Sequence, residues 1–200
     1  MTADGNQVPA GAGESGESGE SGEYGELGTL ERLGDRSVLR YRRRLAHPQD
    51  TVWRALTEDA HLAGWFPTTI EGERSAGAAL RFSFREGEGA PFEGEMLEFD
   101  PPACMELRWA DDVLRFELTP DGAGCVLALT VTFPEHGKAA RDAAGWHVCL
   151  EQLAFECAGD GLPWRPPDRW RAVHGEYVAR LGPEASAIGP PEEWERAHGT

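Results

Sequence analysis

Residues 125–157, CVLALTVTFPEHGKAARDAAGWHVCLEQLAFEC, decide the fold because the spacing of their apolar side chains changes partway along the segment. Up to Phe133 the apolar residues follow the two-residue period of a β-strand. Between Gly137 and Cys157 they recur at helical spacing, which places Trp146 and Leu150 on one face. A strand that leads into a long amphipathic helix predicts a sheet packed against that helix.

The segments before this helix are short and have strand character. Turn-forming sequences such as Asp100-Pro101-Pro102 and Asp121-Gly122 separate them, and strands joined so closely must pair antiparallel. The predicted strands of this meander cover residues 69–72, 79–85, 92–99, 105–109, 113–119 and 125–133.

Regular structure is expected to begin with a strand at Val38–Leu45, which Pro48 ends. Two short helices follow, one at Thr51–Leu56 and one at Ala60–Trp65. The fold class is therefore α+β: a curved antiparallel sheet wrapped around a long C-terminal helix. The two short helices after the first strand are expected to close one end of the sheet.

Composition divides the chain into three parts. Residues 1–35 form an acidic Gly/Glu/Ser-rich tail, which is predicted to be disordered because it has too little apolar surface to bury. Residues 36–160 form the folded domain. Residues 161–200 form an extension with a short helix, Arg169–Leu181, that Asp168 would cap. From Gly182 a polar tail follows, of which only Trp194 would dock against the protein.

The charge of the chain excludes several partners. The formal net charge is −16, and residues 1–29 hold six acidic and no basic residues, which leaves −10 on the remaining 171. Nucleic acids and anionic membranes require a basic surface, so neither is expected as a partner. The sequence has no export signal and no apolar run long enough to cross a bilayer, which predicts a cytoplasmic protein.

The four cysteines give no sign of a metal site. Cys104, Cys125, Cys149 and Cys157 form no CxxC pair and have no histidine at zinc-ligand spacing. Reduced and largely buried thiols are the expected state, with a disulfide or a metal site as the alternative.

Several segments resemble a known family in their order along the chain. They are Tyr41-x-Arg43-x-Leu45-Ala46-x-Pro48, Val52-Trp53-x-Ala55-Leu56-Thr57, Leu62-x-x-Trp65-Phe66, Gly94-x-Met96-x-Glu98, Asp121 to Val131 and Gly145-Trp146-x-x-x-Leu150. Together they resemble the SRPBCC superfamily, and within it the group named after the activator of the heat-shock protein 90 ATPase. The resemblance implies a helix-grip fold with a cavity between sheet and long helix, but no single activity.

Arg43 is the polar residue expected inside. It alternates with Tyr41 and Leu45, so its side chain should point inward, and a buried guanidinium requires a partner. Glu98 and Glu95 are the candidate partners. Two interpretations stay open, a structural ion pair and an anchor for an acidic group of a ligand.

Aromatic residues would line a cavity in this fold, although ordinary packing accounts for many of them. Trp65-Phe66 and Trp146-His147 are the strongest lining candidates. The complete predicted set comprises Arg43, Trp53, Trp65, Phe66, Phe82, Phe84, Met96, Glu98, Trp109, Trp146, His147 and Leu150.

Catalytic machinery is not evident in the sequence. No GxSxG, HExxH, GxGxxG or phosphate-loop motif occurs, and of the six histidines only His147 lies beside the predicted cavity, as a helix-surface or rim residue. No cofactor or metal is expected. The leading hypothesis is a non-enzymatic module that binds a small hydrophobic ligand. The alternatives are a co-chaperone-like domain with a protein partner and an enzyme of the cyclase or hydrolase type.

Overall fold

The computed structural model describes residues 26–85 and 89–198. Its strands are β1 (Thr29–Leu33), β2 (Arg36–Leu45), β3 (Thr68–Glu71), β4 (Ala79–Phe84), β5 (Phe92–Asp100), β6 (Cys104–Trp109), β7 (Asp112–Asp121) and β8 (Gly124–Phe133). Its helices are α1 (Gln49–Thr57), α2 (Asp59–Leu62), α3 (Ala139–Ala158), α4 (Pro166–Leu181) and α5 (Glu192–His198), with 3-10 turns at His136–Lys138 and Glu184–Ser186.

The eight described strands form one antiparallel sheet in the order β1-β2-β8-β7-β6-β5-β4-β3. Strands β3 to β8 are a meander, because each pairs with the next along the chain. Helices α1 and α2 carry the chain from β2, near one edge, to β3 at the other. The register shifts once, between Met96 and Glu98, where β5 departs from regular pairing with β6.

The core lies between one face of this sheet and α3. Leu39 of β2, Phe116 of β7 and Leu129 of β8 are buried on the sheet side, as strand alternation requires. On α3, Ala143 and Leu150 are buried against them. Small residues in the first half of α3 let the helix approach the sheet closely. The predicted helix-grip α+β fold is confirmed.

The prediction of disorder up to residue 35 is wrong for residues 29–33. They form β1, which pairs with β2 from Thr29 opposite Arg40 to Leu33 opposite Arg36. The segment is mostly exposed and has no clear alternation, so only its backbone pairing marks it as a strand. Residues 1–25 of the predicted tail lie outside the described residues.

The extension after residue 160 contains the predicted helix and, after Gly182, more structure than the polar tail predicted there. Helix α4 begins at Pro166, with Arg165 at its N-cap, so Asp168 lies in the first turn rather than at the cap. Helix α5 follows, and the Trp194 ring lies 4.6 Å from the Trp170 ring, measured between centroids. Across the described ranges, no helix has the length and apolar character that a membrane span requires.

Candidate ligand-binding site

A pocket of about 280 Å³ opens where the turn after α2, the end of β4, α3 and the start of α4 meet. We call it the mouth pocket. Its lining is largely apolar, with a few polar groups, which is the usual composition of a small-molecule site. The lining residues are Ala63, Gly64, Trp65, Phe66, Pro67, Phe84, Arg85, Cys149, Gln152 and Pro166.

Backbone and side-chain hydrogen bonds fix the two aromatic residues at this pocket. The indole Nε1 of Trp65 donates to the carbonyl of Ala55 in α1 at 2.8 Å. The amide of Phe66 donates to the carbonyl of Leu62 at 2.9 Å, which continues the turn of α2. Both rings are almost fully buried, so each gives the pocket only one edge or face.

Four aromatic rings connect one wall of the mouth pocket to the other through the core. The Phe66 ring contacts Trp146 of α3 with a centroid distance of 5.8 Å, and Trp146 contacts Trp109 of β6, also at 5.8 Å. Trp109 meets Phe84 edge-on at 6.1 Å. The buried Nε1 of Trp109 has no hydrogen-bond partner among the described residues. An unpaired indole N–H therefore lies next to a wall of the pocket, where it costs free energy.

The polar side chains of the mouth pocket are few: Arg85, Cys149 and Gln152. Arg85 donates to the carbonyls of Phe66 and Thr68 at 3.3 and 3.2 Å. Burial raises the pKa of the Cys149 thiol to about 12, so this cysteine is a neutral thiol near pH 7. The described lining contains no carboxylate and no imidazole, which are the usual general acids and bases.

Most of the other predicted lining residues lie deeper than the mouth pocket. Phe82, Met96 and Leu150 have almost no exposed surface. Trp53 packs against Phe99 at the end closed by α1, with a centroid distance of 5.4 Å. These residues, with Trp109 and Trp146, support the pocket walls or fill the core.

The prediction that Glu98 or Glu95 pairs with Arg43 is wrong. Glu98 contacts Arg115 at 2.5 Å, and Glu95 pairs with Arg108, both through side chains on the solvent face of the sheet. Glu98 does not line the mouth pocket. The β-bulge after Met96 shifts the alternation of β5 at this point, which the sequence pattern could not indicate.

Arg43 does point inward, as strand alternation predicts. One guanidinium nitrogen, Nη2, lies 3.4 Å from Nδ1 of His147, and Nη1 donates to the carbonyl of Arg42 at 3.1 Å. The guanidinium carbon also lies 5.6 Å from the centre of the Tyr41 ring.

The prediction that His147 lies at a rim is wrong, because its side chain is only 1% exposed. Its Nδ1 lies 3.2 Å from the hydroxyl of Tyr177, and its Nε2 lies 3.3 Å from Oε1 of Glu151. Arg169 then donates through Nε to Glu151 at 2.8 Å. Tyr177 and Arg169 both belong to α4, and no pattern in the sequence connects that helix to His147.

All four cysteines are free thiols, as predicted, with Cys104 and Cys125 buried and Cys149 and Cys157 partly buried. Among the described residues, no group of three or more His, Cys, Asp or Glu side chains is arranged to hold a metal ion.

An open antiparallel sheet that grips one long helix, with a pocket beside that helix, defines the helix-grip fold. The family model described as activator of Hsp90 ATPase homolog 1-like protein matches residues 46–156. The chain therefore belongs to this family, and the resemblance to the SRPBCC superfamily is confirmed. A search of curated proteins finds no match.

Solved structures from bacteria share the fold. A conserved protein of unknown function from Enterococcus faecalis is 19% identical, with a TM-score of 0.65 over 77% of this chain and 90% of that one. CalU16 from Micromonospora echinospora is 19% identical, with a TM-score of 0.60 over 75% of this chain and 92% of its own. A protein from Bordetella parapertussis is 25% identical, with a TM-score of 0.61 over 90% and 96%.

Proposed function

We propose that this protein is a non-enzymatic binding module that takes a small apolar molecule into the mouth pocket. The observation that carries the proposal is the pocket itself: Trp65, Phe66 and Phe84, three of the residues expected to line a cavity in this fold, form part of its wall. Its few polar groups are suited to orienting a ligand rather than to transforming it.

The size of the pocket limits the ligand. At about 280 Å³ it lies just below the usual range of small-molecule sites, which is roughly 300–1,000 Å³. A compact aromatic molecule fits this volume better than a long acyl chain does. Arg85 and Gln152 at the pocket would favour a ligand with a polar substituent at its exposed end.

The test is binding of the neutral fluorescent probe N-phenyl-1-naphthylamine to the full chain. One saturable site is expected, with quenching of tryptophan emission because Trp65 contacts the pocket, and with a higher melting temperature because only the folded chain binds. Ala63→Phe places a ring in the pocket and should weaken binding by about tenfold or more. The matched control is Ala60→Phe, an exposed position of α2 outside the pocket, which should bind like the wild type.

Absence of saturable binding, or equal weakening by both substitutions, would contradict the proposal. The co-chaperone-like alternative draws its support from the description of the family. Under that alternative, the protein would stimulate a chaperone ATPase equally well with the mouth pocket filled by Ala63→Phe. The variant Ala63→Phe therefore distinguishes the two functions, because it should weaken ligand binding and leave stimulation of a chaperone ATPase unchanged.

A further inference from the structure

Strand β2 is the most basic segment of an acidic protein. Five of its ten residues are arginines, whereas the whole chain carries a net charge of −16. Most of these arginines have assigned partners. Arg40 pairs with Glu31 at 3.4 Å, Arg44 pairs with Asp121 at 3.1 Å, and Arg36 donates to the carbonyl of Asp111 at 3.3 Å.

Arg42 and Arg43 differ from Arg40 and Arg44. Within residues 26–85 and 89–198, neither forms an ion pair with a carboxylate. Arg43 is half-buried, and its contacts are a backbone carbonyl, the imidazole of His147 and the face of Tyr41, none of which carries a full negative charge. A partly desolvated guanidinium with such partners remains electrostatically uncompensated.

The two arginines face a pocket of about 360 Å³, which we call the arginine pocket. One wall is the chain before β1, and the remainder comes from β2, β7 and β8. Its lining residues are Glu26, Leu27, Thr29, Arg40, Tyr41, Arg42, Arg43, Glu117, Ala128 and Thr130. It shares no residue with the mouth pocket.

The path of the chain at Gly28 creates this pocket. Pairing of β1 with β2 stops at Thr29 opposite Arg40, so β2 beyond Arg40 has no strand on that side. The amide of Gly28 donates instead to the hydroxyl of Tyr177 at 2.7 Å. A Cβ on Gly28 would lie 2.4 Å from Cε1 of Tyr41, so only glycine lets the chain pass over this ring.

The side chains that line the arginine pocket carry a net positive charge. Three guanidinium groups, those of Arg40, Arg42 and Arg43, stand against two carboxylates, those of Glu26 and Glu117. Arg40 pairs with Glu31, and Glu117 is one of three carboxylates that share Arg115. Thr29 and Thr130 also line the pocket and carry hydroxyl groups, which donate hydrogen bonds to anions.

We infer that the arginine pocket binds a small anionic molecule through Arg42 and Arg43, with a phosphate or carboxylate group as the recognised feature. Guanidinium groups recognise both kinds of anion through paired hydrogen bonds. The volume admits a small metabolite-sized ligand rather than a polymer. This site is independent of the proposed apolar ligand, because the two pockets have no residue in common.

The experiment is a titration of the full-length, isotope-labelled protein followed by NMR of the arginine side-chain and backbone amide signals. Inorganic phosphate and succinate are the two probes, so that the titration also distinguishes a phosphate from a carboxylate. At least one probe should produce saturable shifts at Arg42, Arg43 and residues 26–29. Raising the salt concentration should weaken this binding.

Arg42→Gln is the informative variant, because Arg42 is exposed and its loss leaves the core intact. It should weaken binding by about tenfold. Arg43→Gln should weaken binding at least as much, and Arg42→Gln keeps the test valid if that variant does not fold. The matched control is Arg44→Gln, which removes the same charge from the same strand at a residue paired with Asp121, and it should change affinity by less than about twofold.

Three results would overturn the inference. One is the absence of saturable shifts with both probes up to about 20 mM, a concentration that detects even weak sites. Another is equal loss of affinity in Arg42→Gln and Arg44→Gln, which would indicate general charge attraction. The last is saturable binding whose shifts map to residues outside the arginine pocket. None of these results bears on binding of the neutral probe in the mouth pocket.

Discussion

Glu151 connects two helices through a single carboxylate. Arg169 of α4 donates to both of its oxygens, and His147 of α3 lies against one of them, Oε1. Burial raises the pKa of the Glu151 carboxyl, but the hydrogen bonds from Arg169 and His147 outweigh burial and bring the pKa to about 2. A carboxyl whose pKa is lower in the folded than in the unfolded chain stabilises the fold wherever it is ionised.

Glu151→Gln should therefore lower the free energy of unfolding by about 1–3 kcal/mol at pH 7, because Arg169 and His147 lose their charged partner. The stabilisation from Glu151 is complete above its ordinary pKa of 4.5 and is lost as the pH falls toward about 2. The difference between wild type and variant should narrow over that interval. Urea unfolding at pH 7, 5 and 3.5 measures it.

Glu176→Gln is the control for this experiment, since Glu176 is an exposed carboxylate on α4. Its effect should stay within about 0.5 kcal/mol at each pH. A gap between wild type and Glu151→Gln that is as large at pH 3.5 as at pH 7 would show that the carboxylate acts through packing rather than charge.

Single residues of the site divide clearly into those that the sequence predicts and those that it does not. The inward direction of Arg43 follows from the strand period, which is a local property. The partners of Arg43 do not follow from the strand period. His147 lies 104 residues away along the chain, and its own partner Tyr177 lies on α4, which no sequence motif connects to β2. Trp65, Phe66 and Phe84 are predictable as aromatic residues beside a cavity, whereas Pro166 enters the pocket only through the docking of α4.

At the scale of elements, β5 and β6 approach each other closely at a glycine. A Cβ on Gly94 would lie 2.1 Å from the carbonyl oxygen of Arg108 and 2.6 Å from Cε2 of Phe82. The first atom belongs to the backbone of the neighbouring strand and cannot move without disturbing the pairing. Gly94 therefore fixes the packing of the strands that carry Phe84 and Trp109.

Gly94→Ala should destabilise the protein by about 1–3 kcal/mol through overpacking. Gly145→Ala is the matched control, because its added Cβ meets no atom within 4 Å and Gly145 lies inside α3. It should be neutral or stabilise by up to about 1 kcal/mol, since alanine favours a helix over glycine. Thermal unfolding of both variants measures the contrast, and similar melting temperatures for the two would contradict this account of β5.

Elements with a strong pattern are also those that the sequence predicts best. Strand β8 and helix α3 are buried along one side, so the strand and helix periods both appear in the sequence. Strand β1 is mostly exposed, and its stability comes from pairing with β2, which no local pattern records. Helix α5 has one large aromatic residue, Trp194, and depends on the Trp170 ring for its position.

The whole molecule includes α4 in its core, although the family match ends at residue 156. Val173 and Tyr177 of α4 have no exposed surface, which means that removing this helix uncovers the side of α3 that it covers. The sequence suggests a domain boundary near residue 160 because Gly159 ends α3 there. Packing of α4 against α3 argues against treating the following residues as an appendage.

A chain that ends after Gly161 should therefore lose cooperative unfolding or melt far below the full chain, because it exposes buried apolar surface on α3. A chain that ends after Gly189 lacks only α5 and should keep cooperative unfolding with a modest decrease in melting temperature. Calorimetry of the three lengths measures the effect. Equal melting temperatures for the full chain and the chain ending at Gly161 would show that α4 does not contribute to the core.

The hydrogen bond from Gly28 to Tyr177 joins residues 149 positions apart, and Gly28 lies just before β1. Mechanical tension applied to the chain before β1 would consequently reach this contact before it reaches the strands. Strand β1 would then separate from β2 one residue pair at a time, because tension at one end of an antiparallel pair acts on the outermost pair of residues first. The Gly28–Tyr177 hydrogen bond and the β1–β2 pairing would therefore have to break before tension from this side reaches the core around α3.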